Sequence, residues 1–288
     1  MTYTLSQGLQ DLYTDLGLGQ SRKITSTGTT TTSVDSTDTD ANAEGSIIVI
    51  SSTDALAPQG EFGRITAYAS GGTWTHDAIT VATGAGDYVL INRSDLPLYD
   101  AIEAYNRALR SLGDLDWVDT STLETVAQQT EYTAAVAWKR KRPKRIDIQT
   151  KLDDSNDNRW QTITDFDYIP AAANSTGLII FKSQPNTLRD LRIWYEDVHP
   201  RVTTYNAYIR EELHPEIVRQ AALLAALEFM ISQTGRGVDP QLVQDRNKAA
   251  TALDMAKQMH GKYRERRMPK FTDLGNTMIV DQFTYPSA

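Results

Sequence analysis

The residues that could carry out catalysis are few, and they lie in patterns typical of turns and strands. Paired carboxylates can serve as acid and base in glycoside cleavage, and the chain has two such pairs, Asp153 with Asp154 and Asp165 with Asp167. The first pair lies in the polar stretch DDSNDN, where Asp is common in turns. The second pair alternates with Phe166, which predicts the solvated face of a strand. We therefore expect neither a catalytic site nor a metal site at these carboxylates.

Other kinds of catalytic site have equally little support. The chain contains no Cys, which excludes disulfides, thiolate nucleophiles and Cys-based zinc or iron–sulfur sites. It has four His, and no two of them are three or four residues apart, as a local His site on a helix would require. The motif Gly84-Ala85-Gly86 lies between predicted strands and indicates a turn rather than a phosphate loop. We expect no enzymatic activity, no metal and no cofactor.

A run of cations is the strongest local feature of the sequence. It places six positive side chains within seven residues: Lys139, Arg140, Lys141, Arg142, Lys144 and Arg145. Three interpretations stay open, namely a solvated loop, a contact with an acidic protein surface and a contact with DNA phosphates. Aromatic neighbours are limited to Trp138, so a platform on which bases stack is not indicated. We treat this run as a candidate basic contact loop.

Composition and charge limit the partners and cellular locations that the chain can have. The 288 residues carry a net charge of -8, which divides into -12 over residues 1–138 and +4 over residues 139–288. Such a division suggests different partners for the two halves or head-to-tail contact between copies. No stretch approaches 18 consecutive apolar residues, so we expect no membrane span. The first residues lack the pattern of a signal peptide, so we expect no secretion by that route.

The first half of the chain alternates between helical and extended patterns. Leucines at positions 5, 9, 12 and 16 predict a helix within residues 1–20. Ser and Thr make up 12 of residues 21–40, so residues 21–45 are either a flexible linker or an extended β-arm. The pattern of residues 46–93 predicts a β-rich insertion with several strands. A helix is predicted for residues 94–113, with Pro97 near its first turn.

The second half begins with strands and ends with helices. Alternating patterns over residues 130–205 predict an antiparallel, sandwich-like module. Residues 208–267 predict a helical hairpin, with Pro215 and Pro240 near the starts of its two helices. The first of these helices is apolar nearly all round, which is typical of burial inside a domain or between subunits. Its candidate subunit-packing residues are Ile217, Ala221, Leu224, Leu227 and Ile231.

These elements together predict an α+β chain. We expect a helical bundle with inserted antiparallel β modules and extended termini. Its helices would be the N-terminal helix, the helix at 95–112 and the C-terminal hairpin at 215–266, and residues 268–288 would form an extended tail.

The order of elements resembles a known family. The phrases WYEDVHP and ELHPEIV, the hairpin with its basic end and the helix at 95–112 make residues 95–288 similar to the head–tail connector, or adaptor, proteins of tailed bacteriophages. Members of that family are helical-bundle proteins that form a ring beneath the portal and clasp it with a C-terminal segment. The resemblance implies that the portal-docking residues of this chain are Met268, Phe271, Leu274, Met278, Ile279, Phe283 and Tyr285.

The resemblance also implies a function and a set of partners. The chain would be a structural virion protein that joins the portal to the tail and forms part of the DNA channel. Its partners would be itself in a dodecameric ring, the portal, tail or tail-terminator proteins and, without sequence specificity, genomic double-stranded DNA. It would be assembled in the host cytoplasm and located in the neck of the virion.

A second function comes from another class of protein. The strand-rich segments could form a β-sandwich binding module of a tail or baseplate. Binding of carbohydrate by such a module would require exposed aromatic rings, and the candidates are Trp74, Trp160 and Trp194. A third and weaker hypothesis is a hydrolase that uses the Asp pairs.

Overall fold

A computed structural model describes most of the chain. The described residues are 3–38, 45–92, 95–120, 124–133, 142–150, 160–170, 177–185, 189–210, 212–233 and 239–260, together with the backbone of 272–274 and 277–279. The chain divides into two compact units. The first unit comprises Met1–Ala108 and Val202–Ala288, and the second unit comprises Leu109–Arg201.

The described residues contain four α-helices: α1 (Leu5–Asp15), α2 (Leu98–Ser111), α3 (Pro215–Gln233) and α4 (Pro240–His260). The strands of the first half are β1 (Gly19–Lys23), β2 (Ser26–Thr29), β3 (Thr32–Val34), β4 (Ser46–Ser51), β5 (Phe62–Ala69), β6 (Thr73–His76) and β7 (Tyr88–Asn92). They are followed by β8 (Leu115–Asp119), β9 (Glu131–Thr133), β10 (Arg145–Gln149), β11 (Trp160–Ile163), β12 (Phe166–Ile169), β13 (Leu178–Phe181) and β14 (Leu191–Asp197). Two short strands, β15 (Thr272–Leu274) and β16 (Thr277–Ile279), pair near the C-terminus.

Helix α1 begins and ends with sequence-encoded caps. The Thr4 hydroxyl accepts the Gln7 amide proton, and the Gln7 side chain accepts the Thr4 amide proton, which forms a capping box. Gly17 follows the helix with a φ of 66°, a left-handed conformation that glycine adopts at low cost. Gly8 faces Tyr105 of α2, where an added Cβ would lie 2.2 Å from the phenol oxygen. The absence of a side chain at Gly8 therefore permits this close contact.

In the seven-stranded sheet of the first unit, the chain passes directly from one edge strand to the other. Its strand order is β1-β7-β4-β5-β6-β3-β2, so β1 and β2 lie at opposite ends. Only Ile24 and Thr25 separate these two strands in the chain, which keeps their ends within about 11 Å of each other. The Ile24 amide donates to Asp87 on one side and the Thr25 amide donates to Val34 on the other. The sheet thus curls around an apolar cluster that consists of Ile24, Ile47, Val49, Ile65, Trp74, Ile79, Val89 and Ile91.

The second unit consists of two antiparallel sheets. One has the order β11-β10-β14-β8 and the other the order β12-β13-β9. Both contribute to one apolar cluster, which indicates that they pack face to face. The cluster comprises Tyr132, Ile146, Ile148, Phe166, Ile179, Phe181, Leu191, Ile193 and Tyr195. Apolar and polar residues alternate along β10 and β14, so every second side chain packs against this core.

The predicted fold class is wrong. The described structure is built mainly from antiparallel sheets: fourteen strands form three of them, and four helices accompany these sheets. The chain is therefore not a helical bundle with inserted β modules. Residues 21–45, which are rich in Ser and Thr, explain part of the difference between the predicted and the observed fold, because they supply β2, β3 and the end of β1. Thr favours strands once a neighbouring strand is present, and β7 and β6 provide those neighbours.

Candidate assembly interface

The helices of the first unit form a connected layer. Helix α3 packs against α1 and α4. The Arg219 guanidinium binds the Asp15 carboxylate through two hydrogen bonds, with Nε 2.7 Å from Oδ2 and Nη2 2.5 Å from Oδ1. The Leu5 amide also donates to the Ala207 carbonyl at 3.0 Å. These contacts fix the α3–α4 hairpin to the N-terminal helix.

The predicted subunit-packing residues of α3 lie mostly in the core of their own chain. Ile217, Ala221 and Leu227 are buried, and Leu224 and Ile231 are half-buried. The α3 face that carries the buried residues is thus covered by the chain itself. Contact with another copy would have to use other side chains of the hairpin.

Two histidines hold the start of α3 against the end of α4. The His214 and His260 rings stack with their centroids 3.7 Å apart and their planes 4° apart. The Nδ1 atom of His214 accepts the Glu216 amide proton at 3.3 Å and so caps α3. Burial and the neighbouring His260 lower the pKa of His214 below 6.5, while Glu216 acts in the opposite direction. The stack is therefore formed with a neutral His214 near pH 7.

Helix α4 buries one stripe and exposes apolar side chains elsewhere. Ala249, Leu253 and Ala256 are buried. In contrast, Met255 and Met259 are 58% and 75% exposed. Met255 also lines a shallow groove of about 440 Å³, together with Gln244, Asn247, Lys248, Thr251 and Ala252. Exposed methionines next to a groove are typical of adaptable protein-binding surfaces.

The predicted portal-docking tail follows α4 in the chain. Leu274 lies in β15, and Met278 and Ile279 lie in β16, where the strands pair antiparallel with Asp273 opposite Met278. The remaining predicted residues, Met268, Phe271, Phe283 and Tyr285, lie outside the described residues.

The basic run is described from Arg142 onward, and Lys139, Arg140 and Lys141 lie outside the described residues. The Arg142 guanidinium lies 5.7 Å from the centre of the Phe166 ring. The Lys144 ammonium is 2.8 Å from Asp116 and also binds Glu196.

Arg145, the last cation of the run, belongs to a buried network. Its guanidinium binds both carboxylate oxygens of Asp147 at 2.6 Å and lies 5.6 Å from the centre of the Trp194 ring. The Asp147 carboxylate also accepts hydrogen bonds from the Thr162 hydroxyl and the Trp194 indole, both at 2.8 Å. Lys144 and Arg145 therefore serve contacts within the second unit.

The three tryptophans proposed for carbohydrate binding are buried or half-buried. Trp74 is fully buried in the core of the curled sheet. The guanidinium of Arg192 lies 3.7 Å from the centre of the Trp160 ring and covers one face of it. Trp194 is half-buried, and its indole N–H donates to Asp147. Their positions give the carbohydrate hypothesis no support.

The carboxylate pairs occupy ordinary positions where the structure describes them. Asp153 and Asp154 lie outside the described residues. Asp165 is 2.9 Å from the Lys182 ammonium, and Asp167 is exposed on β12. Within the described ranges, no group of three or more His, Cys, Asp or Glu is arranged to hold a metal ion. None of the helices described is long and apolar enough to cross a membrane.

The structure also contains a buried polar cluster that no sequence spacing indicates. The His76 Nδ1 atom lies 2.8 Å from the Asp77 carbonyl, so this nitrogen carries the proton and donates it. The Nε2 atom therefore accepts from the Ser33 hydroxyl at 3.0 Å, and the Ser33 oxygen accepts from the Thr83 hydroxyl at 2.8 Å. All three side chains are buried. Their separation of up to 50 residues along the chain leaves no local signal.

Comparison with known proteins adds no family assignment, because no family model matches the chain and no curated protein matches it.

Proposed function

We propose that the chain is a structural protein of a tailed-bacteriophage virion, a head–tail connector that forms a ring between portal and tail. The observation that carries this proposal is the α3–α4 hairpin. Its α4 helix is packed on one stripe and exposes Met255 and Met259 elsewhere, directly before the C-terminal residues 261–288. A helix that exposes methionines and is followed by a segment with further apolar residues suits a protein whose surface is completed by other subunits.

Charge and sequence order support the same function. The net charge of -12 over residues 1–138 suits a channel lining that repels DNA phosphates and lets the duplex pass. Because the order of elements over 95–288 resembles that of connector proteins, the portal is the proposed partner above the ring. The tail or tail-terminator proteins would lie below it, and the role is structural rather than enzymatic.

Assembly with the portal tests this proposal directly. The purified full-length chain, at 32.1 kDa per copy, should form a ring alone or on the portal protein encoded in the same genome. A twelvefold ring is the expected state, measured by multi-angle light scattering and electron microscopy. A chain that stays monomeric and does not bind the portal or tail proteins would overturn the proposal.

The tail should account for portal binding. Replacing Met278 and Phe283 together by Asp should weaken binding to the portal at least tenfold, because apolar contact is replaced by charge. Ser287→Asp adds a charge to the same segment and serves as the matched control. Surface plasmon resonance on immobilised portal measures both. Equal binding by the two variants would remove the tail from the docking site.

A further inference from the structure

We infer that the stacked rings of His214 and His260 form a latch that holds the end of α4 against the start of α3 in neutral solution and releases it in acid. We call this pair the histidine latch. It lies within one chain, so the inference goes beyond the proposed ring and does not depend on it. The latch determines whether the last turn of α4 is fixed at the point where residues 261–288 begin.

The closed latch is defined by two contacts of His214. Its ring stacks on that of His260, with centroids 3.7 Å apart and planes 4° apart. Its Nδ1 atom accepts the Glu216 amide proton at 3.3 Å. Because Pro215 has no N–H, the Glu216 amide is the first backbone donor of α3. One imidazole therefore caps α3 and also packs on the last residue of α4.

Protonation of His214 must break this cap. A neutral imidazole that accepts a hydrogen bond at Nδ1 carries its single proton on Nε2. A second proton therefore binds Nδ1, and the former acceptor becomes a donor that faces the N–H of Glu216. The start of a helix also disfavours a positive charge, since its free N–H groups form the positive end of the helix dipole.

Protonation also makes the stack repulsive. When both rings are protonated, two positive charges lie on rings whose centres are 3.7 Å apart. The end of α4 favours a positive charge on His260, so His214 is the ring that resists its second proton. In agreement, burial and His260 lower the pKa of His214, and Glu216 acts in the opposite direction.

The charged groups on α3 and α1 leave this repulsion in place. Glu216 is the carboxylate that acts on His214 from its own helix. It also accepts a hydrogen bond from the Gln220 amide at 2.8 Å and lies 3.8 Å from Arg219. Arg219 in turn binds Asp15 of α1. The Glu216 carboxylate is therefore shared among several donors.

The neighbouring charges on α4 and before α3 act in the same sense or cancel. Lys257 lies three residues before His260, so it adds a positive charge on the same side of α4. Arg210 and Glu212 precede α3 and bind each other through two hydrogen bonds. Their charges therefore neutralise one another rather than the latch.

The pH range follows from the lowered pKa of His214. Free histidine titrates near pH 6.5, so the latch is fully closed above about that pH and loosens as the pH falls below it. The remainder of α4 packs through Ala249, Leu253 and Ala256, which do not titrate. Opening is therefore confined to the last turn of α4 and the first turn of α3.

Hydrogen exchange on the full-length chain tests the latch. Exchange of each amide is followed by mass spectrometry at pH 7.5 and 5.5 and divided by the intrinsic rate at that pH. Amides 257–260 should open about fivefold or more as often at pH 5.5, because each unit of lowered pKa is worth a factor of ten. Amides 249–256 should change by less than about twofold.

Three variants separate the ring charges from other effects of acid. His214→Asn keeps a side-chain acceptor for the Glu216 amide and removes the titrating ring, so the pH effect should fall below about twofold. His260→Phe keeps a ring for stacking without its charge and should reduce the effect by about half or more. Gln258→Phe makes the same replacement at an exposed position of the same turn and should keep the full effect. Circular dichroism confirms that each variant is folded at both pH values.

Titration of the His214 ring signals by NMR gives a second measurement on the original chain. The midpoint should lie below 6.5 and move towards 6.5 in His260→Phe. A midpoint at or above 6.5 would overturn the latch even if His214→Asn failed to fold. Equal opening of amides 257–260 at both pH values, or a pH effect that persists in His214→Asn, would also overturn it.

Discussion

In the curled sheet of the first unit, part of the interior is polar, with Ser33, His76 and Thr83 buried and hydrogen-bonded to one another. In the sandwich of the second unit the shared core is aliphatic and aromatic. The principal polar group buried between its strands is Asp147, which is 1% exposed. The two buried networks differ in charge, because Ser33, His76 and Thr83 form a neutral cluster, whereas Asp147 forms an ion pair with Arg145.

This difference determines what each region loses when one polar group is removed. A neutral donor or acceptor left without a partner costs the desolvation of one hydrogen-bonding group. A buried charge left without its counter-ion costs considerably more. The sandwich should therefore be more sensitive to removal of the buried Arg145–Asp147 ion pair than the curled sheet is to removal of one hydroxyl.

The largest effect is expected at Asp147. Asp147→Ala removes the acceptor of Arg145, Thr162 and Trp194 and leaves the largely buried guanidinium without that carboxylate. The free energy of unfolding should fall by about 3–5 kcal/mol. Urea denaturation followed by tryptophan fluorescence measures the change.

The control for this variant is Asp167→Ala, at an exposed position of β12. It should change the free energy of unfolding by no more than about 0.5 kcal/mol. Similar losses in the two variants would mean that the Asp147 network does not stabilise the sandwich.

The same contrast explains how far the sequence predicts the fold. In β10 and β14, the alternation of Ile146 and Ile193 with polar neighbours predicts strands and their inner faces, and the structure confirms both. In β3, the buried positions are Ser33 and, just beyond the strand, Asp35. No hydrophobic period exists there, because hydrogen bonds rather than apolar contacts compensate for burial: Ser33 bonds the distant His76 and Thr83, and Asp35 accepts from Thr37.

The candidate interface shows the same limit. The apolar content of α3 predicts burial, which the structure confirms for Ile217 and Leu227. The sequence alone could not tell burial within the chain from burial between copies, since both need the same side chains. Nor could it identify Met255 as exposed, because exposure depends on which stripe of α4 packs against α3.

A smaller loss is expected when the polar cluster of the curled sheet is interrupted. Ser33→Ala leaves His76 Nε2 without its donor and Thr83 without its acceptor. Stability should fall by about 1–3 kcal/mol. Urea denaturation followed by fluorescence measures the change, and Trp74 supplies the part of the signal that comes from this unit, because residues 1–108 and 202–288 contain no other tryptophan.

Thr27→Ala, at an exposed position of β2, is the matched control and should change stability by no more than about 0.5 kcal/mol. If Ser33→Ala proved as neutral as the control, the cluster would contribute nothing to the stability of the first unit.

The smallest effect is a pH dependence confined to the first unit. Burial lowers the pKa of His76, against the opposing influence of the Asp77 carbonyl and carboxylate. The folded chain therefore binds this proton less readily than the unfolded chain, whose His titrates near 6.5. Stability from this group is complete above about pH 6.5 and decreases as the pH falls below that value.

Thermal unfolding followed at Trp74 should show this decrease between pH 7.5 and 5.5. His76→Gln should make the curve flatter, and His214→Gln should remove the separate contribution of the stacked pair, because the pKa of His214 is also lowered. A pH profile unchanged in His76→Gln would show that the imidazole of the polar cluster does not couple protonation to folding.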